Sequence, residues 1–328
     1  MIGISAFPSI LAWGLRPAEG QIKRDFLTLL DLTVEEMEGL LGLARAVKRQ
    51  PALFHHMLDG RNIALVFEKP SLRTRVTFEV GARQLGADTI YLAPSDIALG
   101  HREPARDVAC NLARWVDAVV VRTFGHGLLT EMAAAAHIPI VNALSDKFHP
   151  CQAVADFLTL RELKGHLPGL RLAWVGDGNN VAHSLMLAAA RTGVHFTMAV
   201  PHGYEPDTAV YQRARADAAE TGAVIELVYD PAVAVRNADA VYTDVWTSMG
   251  QEAETEHRRL LFAPYRVDRE LMALAKPDAV FMHCLPAHRG EEVTSEVLDG
   301  SASVVLEQAE NRLHVAKAVL LALLGGGL

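Results

Sequence analysis

The sequence predicts an α/β protein of two lobes, each a mostly parallel sheet with helices on both faces. Three observations carry this expectation. Short apolar runs bounded by turn residues alternate with segments of helical spacing along the chain, the βαβ rhythm of parallel sheets covered on both sides. The runs fall into two sets, three before about residue 150 and five after about residue 170, joined by a helical segment at 152–164. The chain has 328 residues, 50% hydrophobic and 21% charged, which fits roughly two globular domains with room for a large core.

Taken in order, the run at 63–67 is the first strand, and Pro70, with no N–H for a ladder, stops it. A helix is expected from Ser71, whose hydroxyl suits a cap position. The runs at 118–121 and 138–141 complete the first set; one ends at Arg122 and the other leads by a loop to His149 and the joining helix. The second set comprises 172–175, 196–200, 225–228, 240–243 and 279–282. Three of these strands end in polar or reactive residues. The segment 308–324 is apolar enough to pack over a lobe as a last helix, which could return to the first lobe. The expected division is an N-terminal extension at 1–22, a first domain at 23–150, a second at 151–307, and the returning helix at 308–328.

Net charge excludes some partners. At −8, the chain is a poor match to a nucleic acid or an anionic membrane surface, so clustered basic residues point to a local anion. Cys110, Cys151 and Cys284 are odd in number and form no CxxC, which fits a reducing compartment and no disulfide framework; cytoplasm is the expected location. No apolar run reaches the ~18 residues of a membrane span. The apolar stretch at 2–15 is interrupted by Pro8 and lacks the basic start of a secretory signal.

The stretch Phe67-Glu68-Lys69-Pro70-Ser71-Leu72-Arg73-Thr74-Arg75 reads as a phosphate cradle. A strand breaks into a helix start, whose orphan N–H groups point at whatever anion sits there. Ser71 and Thr74 bring hydroxyls and capping groups, while Arg73 and Arg75 bring forked, permanently charged donors. A capped amphipathic helix with two solvated arginines would carry the same letters. Arg122 stands at the carboxyl end of a strand, the edge where open α/β sheets place ligands.

His149-Pro150-Cys151-Gln152 puts two hydrogen-bonding side chains at a helix N-terminus, able to hold a carbonyl or amide; an incidental histidine in a capped helix reads the same. Val175-Gly176-Asp177-Gly178-Asn179-Asn180 follows a strand and opens a helix, but a dinucleotide fingerprint wants glycine where Val181 stands. Its asparagine amides suit a substrate carboxylate or amine. Asp244-Val245-Trp246-Thr247-Ser248-Met249-Gly250 is a strand end entering a polar loop, with Asp244 suited to an amino group; a loop packed on the core by Trp246 and Met249 is the plain alternative. In His283-Cys284-Leu285-Pro286-Ala287-His288, zinc on His283, Cys284 and His288 is conceivable, but structural zinc usually pairs cysteines, so no metal is expected and a buried structural cysteine is the simpler alternative.

SxRTR, HPxQ, the DxxxSMG loop and HCLP, in this order across 23–324, closely resemble the ornithine carbamoyltransferase family. SxRT and HPxQ are shared with aspartate carbamoyltransferase, and the SMG loop and the cysteine of HCLP are similar to the ornithine branch. The resemblance implies transfer of the carbamoyl group of carbamoyl phosphate to the δ-amine of L-ornithine, giving L-citrulline and phosphate in arginine metabolism. It implies no cofactor, a homotrimer or multiple of trimers with sites at subunit borders, a carbamoyl phosphate-binding first domain and an ornithine-binding second one. By motif, Ser71, Leu72 through its backbone, Arg73 and Thr74 would hold the phosphate, and Arg122, His149 and Gln152 would polarise and orient the carbamoyl group. Asn180, Asp244, Ser248 and Met249 would bind the α-amino and α-carboxylate end of ornithine. Cys284 and Leu285 would lie beside the reacting carbon and amine, with Arg312 a further donor to carbamoyl phosphate. Asp244 and Cys284 are the candidates for handling the amine proton.

The sequence departs from the family's pattern at two positions. Leu72 stands where a threonine is common, leaving only backbone contact there. Ala98 stands where the family has a glutamine or histidine that reaches a neighbouring subunit's site, and His101 and Arg102 are the nearby residues that could stand in. The rival readings are a transcarbamylase for another amine, such as N-acetylornithine or putrescine, and a non-catalytic nucleotide-binding module. Asp244 with the SMG loop disfavours the first, because a free α-amino acid end needs such partners; the absent third glycine disfavours the second. The residues do not distinguish an anabolic from a catabolic direction.

Overall fold

The computed structural model describes residues 23–325 other than 70, 98, 101 and 248–251, and of residue 252 the backbone alone. The expected extension at 1–22 lies outside the described residues. Two compact units result. The first runs to Leu158 and resumes at Asn311, and the second spans Thr159–Glu310. The chain passes between them within two helices, α5 (Pro150–Lys164) and α9 (Val305–Leu324).

The first unit holds a four-stranded sheet in the order β2-β1-β3-β4, all pairs parallel: β1 (Asn62–Phe67), β2 (Asp88–Leu92), β3 (Ala118–Arg122) and β4 (Ile140–Leu144). Between them come α2 (Leu72–Gln84), α3 (Ala105–Leu112) and α4 (His126–Ala135), after a first helix, α1 (Val34–Arg49). Ala64 and Val66 of β1 with Val119 and Val121 of β3 pack on Val108, Ala109, Leu112, Leu129 and Met132 of α3 and α4. The alternate residues Ile63, Leu65, Phe67 and Val120 are also fully buried, so both faces of the sheet are covered, as parallel sheets require.

The sequence reading anticipates three strands here; the fourth is β2. Its five residues Asp88-Thr89-Ile90-Tyr91-Leu92 include no fully buried side chain and lie at the sheet edge, paired on one side to β1. An edge strand buries too little to carry a continuous apolar run, which is why it escapes a search for such runs.

The second unit holds five parallel strands in the order β7-β6-β5-β8-β9: β5 (Arg171–Val175), β6 (His195–Ala199), β7 (Ile225–Val228), β8 (Ala240–Thr243) and β9 (Val280–His283). Helices α6 (Asn180–Thr192), α7 (Thr208–Thr221) and α8 (Thr255–Phe262) come with them. Trp174 of β5 and Tyr242 of β8 stack at 5.4 Å between centroids, both fully buried. The strand order reverses between β5 and β8, and the crevice beyond their carboxyl ends is where open α/β sheets hold ligands.

The turn after β5 is packed tightly. A Cβ at Gly178 would lie 2.4 Å from Pro206 N and 2.7 Å from Tyr204 O, backbone atoms that cannot swing aside. Gly178→Ala is therefore expected to destabilise the second unit by about 1–3 kcal/mol, read as a lower urea midpoint at unchanged slope. An unchanged midpoint would show that the 204–206 loop yields without cost.

Candidate active site

Each unit carries candidate residues near the carboxyl ends of its own strands. In the first unit, β1 ends at Phe67 in register with Arg122 at the end of β3, so the two loops that follow emerge side by side. Glu68 ties them together, accepting from Thr123 Oγ1 and from Phe124 N at 3.2 Å, while Lys69 lies 4.0 Å above the Phe124 ring. Ser71 then takes the N-cap position of α2 in extended conformation, but its side chain makes no capping hydrogen bond. Ser71 thus holds the expected cap position without a capping bond, and its hydroxyl leaves the first N–H groups of α2 unclaimed.

Thr74, buried on the first turn of α2, is the meeting point. Its Oγ1 accepts from Arg312 Nη2 at 2.6 Å and from Arg122 Nη1 at 3.5 Å, the outer limit of such a bond. With its oxygen accepting, the hydroxyl proton is free to donate elsewhere. Arg73, partly exposed, follows Leu72, whose side chain is exposed and leaves the backbone as its offering. Arg75, read from sequence as a phosphate donor, is instead held over the Tyr91 ring at 3.6 Å and by Glu79 at 3.2 Å. Helix periodicity explains this, since Arg75 lies about 100° around the helix from Thr74.

His149 precedes Pro150, which as the first residue of α5 donates no N–H where none is needed. The imidazole is buried, and its pKa lies well below the usual histidine value: burial contributes most, then the charges of Arg312, Arg122 and Arg73. It is thus a neutral ring among cations, able to donate from one nitrogen without adding charge. Gln152 stands one helical turn on; its Oε1 is buried and has no hydrogen-bond partner among the described residues. Neighbouring Cys151 is inert by contrast, its thiol pushed up to about 12 by burial and bonded to Asn142 O at 3.6 Å.

The depressed His149 has a consequence for folding. The unfolded chain takes up a proton near pH 6.5 that the folded chain refuses, so stability is full above that pH and declines as pH falls below it. Half-buried His126, also lowered chiefly by desolvation, acts in the same sense. The unfolding free energy between pH 7 and 5.5 should decline with pH, and His149→Asn should flatten the dependence. An identical slope in the variant would mean that His149 is not the group refusing the proton.

In the second unit, Asn179 caps α6: its Oδ1 accepts from Val181 N at 2.9 Å and Ala182 N at 3.1 Å. That fixes its Nδ2, which donates to Asp244 Oδ2 at 2.9 Å, while Cys284 Sγ donates to Asp244 Oδ1 at 3.1 Å. The buried Asp244 at the end of β8 is so oriented by the ends of β5 and β9. Asn180, partly buried, is the first residue of α6. Leu285 sits at φ 61° with its N–H donated to His283 Nδ1 at 2.8 Å, and His283 Nε2 lies 3.3 Å from Glu292 Oε1, both residues fully buried. Ser248 and Met249 lie outside the described residues, as do Ala98 and His101; Arg102 is exposed. Arg258 donates to Trp246 O at 2.9 Å, to Asp177 at 2.8 Å and to Glu254 at 2.9 Å. Burial pushes the Asp177 carboxyl upward against the pull of Arg258.

The three residues considered for zinc divide between two groups. Among the described residues, ligand atoms of Asp244, His283 and Cys284 lie within 4.8 Å of one another, and so do those of His288, Glu291 and Glu292. Both ring nitrogens of His283 are engaged as given above, which weakens the first group as a metal site. Two supporting residues were not assigned from sequence: Asn179, whose signal was its place just before α6, and Arg258, which has none.

Two family models match the chain: aspartate/ornithine carbamoyltransferase, carbamoyl-P binding domain, over residues 24–162, and aspartate/ornithine carbamoyltransferase, Asp/Orn binding domain, over residues 168–323. The chain is 50% identical over 305 residues to the ornithine carbamoyltransferase of Thermococcus kodakarensis, covering 92% of this chain and 97% of that one. It is 50% identical over 305 residues to the anabolic ornithine carbamoyltransferase of Pyrococcus furiosus, again 92% of this chain and 97% of the relative. A solved structure of ornithine carbamoyltransferase from Pyrococcus furiosus superposes with a TM-score of 0.90 at 49% identity, covering 93% of this chain and 98% of that one.

Proposed function

The chain belongs to the aspartate/ornithine carbamoyltransferase family, and on that basis we propose that it transfers the carbamoyl group of carbamoyl phosphate to the δ-amine of L-ornithine, giving L-citrulline and phosphate in arginine biosynthesis. The observation that carries the donor side is the convergence of Arg122 and Arg312 on Thr74 at a helix start whose N-cap side chain makes no capping bond. The acceptor side is supported by the Asp244–Cys284 pair and by relatives named for ornithine at about half identity over nine-tenths of the chain.

In this reading Ser71, the Leu72 backbone, Arg73 and Thr74 hold the phosphate with the N–H groups of α2, and Arg312 adds a donor. Arg122, His149 and the Thr74 hydroxyl face the carbamoyl oxygen, and Gln152 Oε1 accepts from the carbamoyl –NH2. The neutral amine attacks the carbamoyl carbon, charge gathers on that oxygen, and fixed donors stabilise it at no reorganisation cost. The C–O bond to phosphate then breaks, and the phosphate leaves as an anion among the cations that held it. Little covalent assistance is required, and holding two substrates in reacting geometry supplies much of the acceleration. Asn180, Asp244, Ser248 and Met249 bind the amino-acid end of ornithine, Leu285 lies beside the reacting centre, and Asp244 with Cys284 takes the proton the amine loses.

No helix among the described residues is long and apolar enough to cross a membrane. Three free cysteines support a reducing cytoplasm as the location. Membership of the family supports assembly as a homotrimer or multiple of trimers. Incubating the purified protein with carbamoyl phosphate and a panel of ornithine, N-acetylornithine and putrescine tests the activity. Citrulline from ornithine at a kcat/KM at least tenfold above the other amines is expected; turnover favouring another amine, or none, would overturn the assignment.

A further inference from the structure

Asp156 has no part in the reaction as drawn above, yet it is fully buried on α5, one turn beyond Gln152 and two beyond His149, so the three side chains follow one helix face. Gln152 Nε2 donates to Asp156 Oδ1 at 2.8 Å. The other end of the same amide, Oε1, is the buried acceptor that finds no donor among the described residues. A primary amide has nearly the same shape either way round, so what stands beside it decides which end faces inward. A carboxylate accepts and does not donate. It therefore takes the –NH2 and turns the carbonyl away.

We propose that Asp156 is a positioning residue that sets donor-substrate specificity: by claiming the Gln152 –NH2 it holds Oε1 toward the substrate, so that the site selects an acyl phosphate bearing –NH2 and rejects the isosteric one bearing –CH3. This rests on the reading of Gln152 as the carbamoyl ligand. A methyl group in place of the amine leaves Oε1 buried and unsatisfied, and sites built around a hydrogen bond discriminate strongly against a ligand that lacks it. Were the amide turned, its –NH2 would face the carbamoyl –NH2 donor to donor, and the preference would collapse.

Two stable phosphonates isolate this difference: phosphonoacetamide, which carries –NH2, and 2-oxopropylphosphonate, which carries –CH3 in its place. By calorimetry, the wild-type protein should bind the first about a hundredfold more tightly, in keeping with a hydrogen-bond-selective site. Asp156→Asn and Asp156→Ser each place beside Gln152 a group that can donate as well as accept, freeing the amide to turn. The ratio should fall below about tenfold in either folded variant, matching Gln152→Leu, while affinity for inorganic phosphate stays within about threefold because its ligands are untouched. A merely structural role would weaken both phosphonates and phosphate together. A wild-type ratio near one, or a ratio preserved in a folded Asp156 variant, overturns the proposal. A wild-type protein that neither binds phosphonoacetamide nor forms citrulline would instead overturn the functional reading on which the proposal rests.

Discussion

Arg122→Ala is expected to fold and to form citrulline about 10²–10³-fold more slowly than the parent, the loss typical of one oxyanion donor. The strand itself survives the change, because Arg122 meets Phe67 and Leu144 through its backbone and these pairings need no guanidinium. Thr74 also keeps its shorter bond, from Arg312 at 2.6 Å, so the helix start retains one of its two arginines. What is lost, in the proposed reaction, is charge at the carbamoyl oxygen, where the transition state is more negative than the bound substrate. The deficit should therefore fall mainly on kcat rather than on KM for carbamoyl phosphate. Steady-state kinetics beside a circular dichroism spectrum decide the matter: a folded variant with kcat within threefold of the parent would remove Arg122 from the chemistry.

Asp244→Asn is expected to cost about 10²–10⁴ in turnover, the range of positioned general acid–base groups. The ornithine δ-amine resembles a lysine amine, with an unperturbed pKa of about 10.4, so at pH 7 roughly one molecule in a few thousand is the neutral nucleophile. Asp244 accepts from Asn179 on one oxygen and from Cys284 on the other. An amide can accept on one side only, so one of those donors would face another donor, and the pair that receives the amine proton would be broken. Phosphate contacts belong to other residues, so affinity for phosphonoacetamide should be unchanged. Cys284→Ser should be the milder lesion, since a hydroxyl can still donate to Asp244. Equal kcat values for Asp244→Asn and the parent between pH 6 and 9 would exclude the carboxylate from proton handling.

Two clusters of the candidate donor site were legible because their residues are close in sequence: Ser71 to Thr74 lie at one helix start, and His149 and Gln152 at another. The same locality misled at Arg75, two residues after Arg73, where the helix turns the side chain to Tyr91 and Glu79 instead. Ser71 carried the right letter for a cap and makes no capping bond, because the cap depends on a side-chain rotation that composition does not encode. In the second unit Asp244 and Cys284 were found as strand ends, but the bond between them spans 40 residues and the one from Asn179 spans 65, distances over which no periodicity speaks. Strand β2 was missed because an edge strand has no call to be apolar on both faces.

The bond between Thr74 and Arg312 joins residues 238 apart. During synthesis the cradle at the start of α2 emerges early and its closing arginine comes almost last, at roughly 5–20 residues per second some ten to fifty seconds later. A ribosome-bound chain that has not yet released α9 holds the start of α2 without Arg312, and so without the shorter of the two arginine bonds to Thr74. The same separation makes α9 a clasp: any cut that frees the segment after Asn311 removes most of a helix and the partner of Thr74 in one stroke.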